Sequence, residues 1–491
     1  MPSPVTDSER SDSRSRTNLV VAVLAFAGIV VSLMQTLVIP LIPQLPQLLG
    51  ASAADTSWAI TATLLAAAVA VPVMGRLGDM FGKRRMLLIS LVLLVTGSIV
   101  GGLSESLLPL IAARTLQGLA AGVIPLGISV MRDEVSKERL TGSMALMSAS
   151  LGVGGALGLP AAALIAEYAD WHFLFWTSAG LGVLVTALVI AVVPESNVRT
   201  GGTFDAIGAL SLSTALITLL LAISKGRAWG WTSDLTIGMV LTAVAAFAVW
   251  IWWELRAEQP LVDLRTTIRR QVLLTNLASM VFGFSMFAMT MVFPQVLQLP
   301  EVTGFGLGQS ILVAGLVMAP SGLVMMLVAP LSSRITNTMG PKITLMLGAG
   351  IVAAGYGVGI LMMSSVWQLT IIASIIGAGT GLAYGAMPAL IMGGVPASET
   401  AAANSFNTLM RSLGTSFASA VAGIVLAQMT VRVGPATMPS QGGFQVIMAA
   451  AAFAALGALV LAAFLPRHRA TLTPESAEDL IGISEPAPAL R

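Results

Sequence analysis

Between two apolar runs that are each long enough to cross a bilayer, residues Gly75 to Arg85 read GRLGDMFGKRR. Gly75, Gly78 and Gly82 supply the backbone freedom of a tight turn around Asp79 and the basic cluster Lys83, Arg84 and Arg85. The framework returns later in the chain. Arg76, Asp79 and Gly82 recur at the same three-residue steps as Arg334, Asn337 and Gly340, again between two membrane-length runs. A charged loop repeated at one place in each half of an apolar chain marks an internally duplicated membrane protein.

Composition agrees. Of 491 residues, 56% are hydrophobic and only 10% charged, with a mean hydropathy of +0.89; soluble domains carry about 25% charged residues. The absence of Cys excludes disulfides and thiolate chemistry, and with only His172 and His468 a histidine metal site is not expected. No cofactor is expected. The polar N-terminal segment runs straight into a full-length span, unlike a cleavable signal peptide.

Apolar runs of roughly 20 residues predict helices near 19–41, 56–75, 85–103, 108–131, 141–166 and 171–193. A pair follows near 205–224 and 234–254, then six more near 271–297, 307–331, 342–363, 367–392, 402–430 and 443–465. An even count places both termini on one side. With the N-terminus inside, the inner loops hold Arg76, Lys83, Arg84, Arg85, Arg132, Lys137, Arg139, Arg199, Arg256, Arg265, Arg269, Arg270, Arg334 and Lys342, against Lys225, Arg227 and Arg432 outside. The positive-inside rule then puts both termini in the cytoplasm. Trp58, Trp171, Trp229, Trp231, Trp252, Trp253 and Trp367 fall at predicted helix ends, as interfacial anchors do.

The duplication continues elsewhere. Gly118, Gly122 and Pro125 match Gly381, Gly385 and Pro388, and Ser150, Leu151, Gly152 match Ser412, Leu413, Gly414; the pair of helices between residues 205 and 254 has no counterpart. The expected fold is all-α and polytopic, with 14 transmembrane helices arranged as 6 + 2 + 6. Its expected parts are an N-terminal tail (1–18), a first six-helix bundle (19–194), the inserted pair with flanking loops (195–260), a second bundle (261–466) and an acidic, disordered cytoplasmic tail (467–491).

GRLGDMFGKRR and the RTLQGLAAG of the fourth helix (Arg114, Gln117, Gly118, Gly122) together resemble the major facilitator superfamily, within it the fourteen-helix drug:proton antiporter branch, over nearly the whole chain. The resemblance implies the major facilitator fold and export of small apolar or amphiphilic compounds coupled to proton influx. Its expected site is the bacterial cytoplasmic (inner) membrane, its partners small-molecule substrate, protons and lipid, and its state monomeric. It implies a gating loop of Gly75, Arg76, Gly78, Asp79, Gly82, Lys83 and Arg84, and a role for Arg114 in proton coupling. A loop Asp is also an ordinary helix cap, and the run Lys83 to Arg85 reads as orientation and anionic-lipid contact.

The residues speak for themselves in part. A guanidinium inside a helix of Leu and Ala costs about 2.5–3.5 kcal/mol on the insertion scale, so Arg114 should face a protein interior or a watery cavity. Arg411 invites the same argument, against snorkelling to the headgroups. In the fifth helix Gly154 and Gly158 allow close helix approach and Pro160 weakens the backbone ladder. This resembles the antiporter motif except that Leu159 splits its Gly-Pro pair and Ala162 and Ala163 replace its glycines. In the first helix Gln35 stands where the branch carries an acid. Candidate proton carriers are therefore Glu167, Asp205 and Asp55, each with the alternative of a solvated interfacial carboxylate. A cavity between the halves would draw on Gln35, Gln117, Asn276, Asn404, Asn407, Arg411 and the Met-rich ninth helix.

Other readings are export of one specific metabolite or lipid, an uncoupled facilitator, or a channel. No HExxH or phosphate-cradling motif supports an enzyme. Basic residues spread over short loops exclude nucleic-acid binding.

Overall fold

The computed structural model describes residues 7–38, 41, 44–196, 199–433 and 436–466. Its fourteen membrane-length helices are numbered here in chain order: α1 (Asp7–Thr36), α2 (Trp58–Phe81), α3 (Lys83–Gly102), α4 (Leu107–Glu134), α5 (Lys137–Tyr168), α6 (His172–Val192), α7 (Ala206–Trp229) and α8 (Asp234–Glu254). They continue as α9 (Arg270–Gln298), α10 (Ile311–Met339), α11 (Pro341–Leu361), α12 (Val366–Met392), α13 (Thr400–Gln428) and α14 (Gln441–Ala463). The expected 6 + 2 + 6 order is therefore present.

Two of these helices are broken where proline removes a backbone donor. A 3-10 turn at Ala120–Gly122 interrupts α4 just before Pro125, and α10 restarts at Ala329 with Pro330 in its first turn. Apolar cores follow the duplication. One joins α1 to α6 around Leu24, Leu87, Leu126 and Phe175. Another joins α9 to α14 around Phe282, Phe293, Tyr356 and Phe444, with Ala145 and Ala149 of α5 included.

The inserted pair is peripheral. α7 packs Leu212, Leu216 and Leu220 against Ala68 of α2 and Leu409 and Leu413 of α13, whereas α8 presents Leu235, Leu241, Val244 and Trp252 outward. At the far end, the Lys225 ammonium donates to Ser57 Oγ at 2.5 Å and sits 4.5 Å over the Trp58 ring.

Three local expectations need correction. The polar residues from Asp7 onward prolong α1, which ends at Thr36 and not near 41. The charged loop is nearly absent, because α2 continues through Asp79 to Phe81 and α3 begins at Lys83. A single residue, Gly82, makes the turn at φ 111°, and its repeat Gly340 does the same at φ 90°; both torsions are open to glycine and strained for other residues. Third, an antiparallel ladder of Thr430–Val433 with Ala436–Pro439 joins α13 to α14, too short to register in hydropathy. The acidic tail expected at 467–491 lies outside the described residues.

Candidate functional site

At the Lys/Arg-rich end, α2 of the first half meets α13 of the second. Gly75 permits this: a side chain on it would begin 2.3 Å from Ser405 Oγ and 2.8 Å from the Ala401 carbonyl, while Gly78 makes room for Leu126 of α4, 2.4 Å from where its side chain would begin. The approach carries Asp79, fully buried, to the start of α13. Its two carboxylate oxygens accept the Ala401 and Ala402 N–H groups at 3.2 and 2.8 Å. These are first-turn donors with no partner in their own helix, and the helix dipole is positive there. Thr200 N donates 2.9 Å to the Asp79 carbonyl.

Arg132, at the end of α4, grips the neighbouring helix terminus. Its guanidinium donates to Thr400 Oγ1 (2.5 Å) and to the carbonyls of Met392, Val395 and Pro396 (3.4–3.5 Å). Lys83 differs from the lipid-facing expectation. It is fully buried and donates 2.6 Å to Asp133, whose Oδ2 also accepts Ser196 Oγ at 2.5 Å. Arg84 reaches the Ile190 carbonyl at 2.6 Å. Arg76 is buried with Nε unpartnered among the described residues and lines a cavity of about 270 Å³ with Glu258, Asp263, Glu399 and Asn276.

Arg114 lies inside the first six helices, 3% exposed. It donates to Gln117 Oε1 at 2.7 Å and to the carbonyls of Met34 and Ala59 at 3.4 Å, while Gln117 donates to Ser98 Oγ at 3.0 Å. No carboxylate pairs with it among the described residues. Its charge is therefore held by carbonyl dipoles.

The small residues of α5 face two helices. A side chain on Gly154 would begin 2.4 Å from the Ile29 carbonyl and one on Gly158 would collide with Thr36 of α1, while Pro160 packs on Gly315 of α10. This stripe thus binds α5 to its own half on one side and to the other half on the second.

Among the carboxylate candidates, Asp55 is exposed and bonded to Ser52. The Glu167 side chain lies outside the described residues. Nearby Asp170 sits outside the spans, held below the usual carboxylate range by the backbone N–H and ring of His172. Asp205 caps α7, accepting Gly208 N (2.8 Å) and Trp253 Nε1 (2.9 Å) on Oδ1. Beside it stands Glu254, the last residue of α8 and 3% exposed. Its Oε1 accepts Trp250 Nε1 at 2.8 Å. Asp205 Oδ2 and Glu254 Oε2 are buried without hydrogen-bond partners among the described residues, and both carboxylates lie within 3.0 Å of where a side chain on Gly208 would begin.

The cavity candidates are dispersed. Gln35 is exposed on α1. Asn407 donates to Asn276 Oδ1 (2.9 Å) and Ser279 Oγ (2.7 Å) between α13 and α9, and Asn404 turns back to the Thr400 carbonyl. Asn276 lines the 270 Å³ cavity with Arg76, and Arg411 lines a second cavity between the halves, about 180 Å³, with Gly152, Met286 and Tyr384.

Fourteen membrane-length helices, a duplicated helix-to-helix turn and a charged contact between α2 and the start of α13 define a polytopic membrane protein. A family model described as Major Facilitator Superfamily matches residues 24–419, and the chain belongs to that superfamily. An uncharacterized MFS-type transporter of Mycobacterium tuberculosis is 28% identical over 427 residues, 85% of this chain; the chain spans 60% of that relative's length. The tetracenomycin C resistance and export protein of Streptomyces glaucescens is 29% identical over 489 residues, covering 96% of this chain and 88% of that protein. The fold resembles the human organic anion transporter MFSD10 (TM-score 0.64, 16% identity, 91% of this chain and 99% of that one). It also resembles the proton:xylose symporter XylE (TM-score 0.63, 14% identity, 93% and 97%).

Proposed function

We propose that the protein exports small apolar or amphiphilic compounds by alternating access, coupled to proton influx, with its Lys/Arg-rich end facing the bacterial cytoplasm. The observation that carries this reading is Asp79 capping α13. A carboxylate of one half that satisfies helix N–H groups of the other is an interaction made in one arrangement of the halves and broken in another. Export relatives such as the tetracenomycin C protein support the direction. The moving bodies are residues 19–194 and 261–466, with the inserted pair within 195–260 packed on both through α2 and α13, and the working unit is a monomer.

For coupling, we assign the proton to Asp205 and Glu254, whose unpartnered oxygens are satisfied by one shared proton. Arg114 tunes the first helix through the Met34 carbonyl. The neutral Gln35 in α1 favours one other reading, an uncoupled facilitator.

The test is substrate-driven proton movement in proteoliposomes under an imposed pH gradient. Antiport requires that gradient-driven flux falls to background in Asp79→Asn and Arg114→Ala. Flux that ignores the gradient makes the protein a facilitator.

A further inference from the structure

We infer that the cavity between the halves takes anionic aromatic amphiphiles, with the anion on Arg411 and the ring beside Tyr384. The inference rests on the exporter reading and names its substrate class. Arg411 lies in the middle third of α13. Snorkelling is not its solution: the guanidinium carbon sits 4.8 Å from the centroid of the Tyr384 ring, and the stem is wedged where α13 crosses Gly283 of α9.

The charge is unneutralised. No carboxylate lies within ion-pair distance of Arg411 among the described residues, and its lining neighbours Gly152, Met286, Met325, Tyr384 and Ser412 bring no acid. Arg114 provides the contrast, since carbonyls and Gln117 occupy its donors. Arg411 is partly exposed and lines the cavity.

A mid-membrane guanidinium is expensive unless water or a ligand completes it. Its planar fork of five donors matches a carboxylate or sulfonate bidentately. Tyr384, Met286 and Met325 add a polarizable apolar wall for a flat ring. A cationic ligand would meet an uncompensated like charge there.

The experiment uses the full chain in proteoliposomes with three dyes: fluorescein as anion, Nile red as neutral and rhodamine 6G as cation. Wild type should move fluorescein faster than rhodamine 6G. Arg411→Gln should lower the fluorescein-to-Nile red rate ratio at least tenfold, with Arg411→Lys intermediate. Should Arg411→Gln fail to fold, competition on the wild type decides, and rhodamine 6G must displace bound fluorescein more weakly than an unlabelled aromatic carboxylate does. Equal handling of anion and cation by the wild type, or an unchanged ratio in Arg411→Gln, overturns the inference and leaves the exporter reading standing. Movement of none of the three dyes removes both.

Discussion

Asp79 and Arg132 hold opposite sides of one connection: the carboxylate takes the free N–H groups at the start of α13, and the guanidinium takes the free carbonyls at the end of α12. Each charge meets the helix pole of opposite sign. Both residues belong to the first half and both partners to the second, so the halves are latched by two complementary contacts.

Breaking that latch should loosen the Lys/Arg-rich end. Charge–dipole contacts of this kind contribute about 0.3–2 kcal/mol each, enough to shift a balanced equilibrium several-fold. The chain has no native Cys, so a cysteine at buried Ser405, beside Gly75, reports cleanly. Its maleimide labelling rate should rise several-fold in Asp79→Asn and in Arg132→Gln, and further in the double variant. Unchanged labelling would remove the gating role.

Lys83 and Asp133 should behave as a structural pair. Lys83→Met leaves a buried carboxylate with only Ser196, a loss of about 3–5 kcal/mol for a broken buried ion pair. Thermal unfolding in detergent should show a lower midpoint for Lys83→Met and recovery in Lys83→Met/Asp133→Leu. If the double variant is no better than the single one, the pair is not the source of the loss.

Gly414 sits where α13 crosses α9, and a methyl there would begin 1.7 Å from the Met280 carbonyl. Backbone cannot yield as a side chain can, so Gly414→Ala should cost on the order of 1–3 kcal/mol or more through overpacking. Gly180 of α6 has nothing within 4 Å of that position. Gly180→Ala should be neutral or slightly stabilising, since alanine is the better helix former. Equal midpoints for the two variants would contradict the crossing.

Glu254→Gln and Asp205→Asn mimic the protonated carboxyl. In proteoliposomes either change should lower flux driven by a pH gradient about tenfold, with the double variant no lower than either single one, while leaving substrate exchange without net flux measurable. The two effects should not add, because one proton serves both oxygens. Additive losses, or full gradient-driven flux in both variants, would move the carrier elsewhere.

The sequence by itself determined the spans, their number and their pairing into repeats. Those depend on apolar length, on proline and glycine position and on the sign of the loops, which are local along the chain. It also marked Asp79, Arg114 and Arg411 as charges that need a reason. What it left open was each partner. Asp79 and Ala401 are 322 residues apart, and a pattern of apolar lengths carries no information about which helix end arrives opposite which side chain. The lipid-facing reading of Lys83 failed for the same reason, since nearly two extra turns of α2 turned a surface run into a buried pair with Asp133. Glu254 gained its meaning only when α7 and α8 packed and set it beside Asp205. Tertiary structure decided these matters because charge in a low-dielectric interior is defined by its neighbours, and the neighbours come from the whole chain.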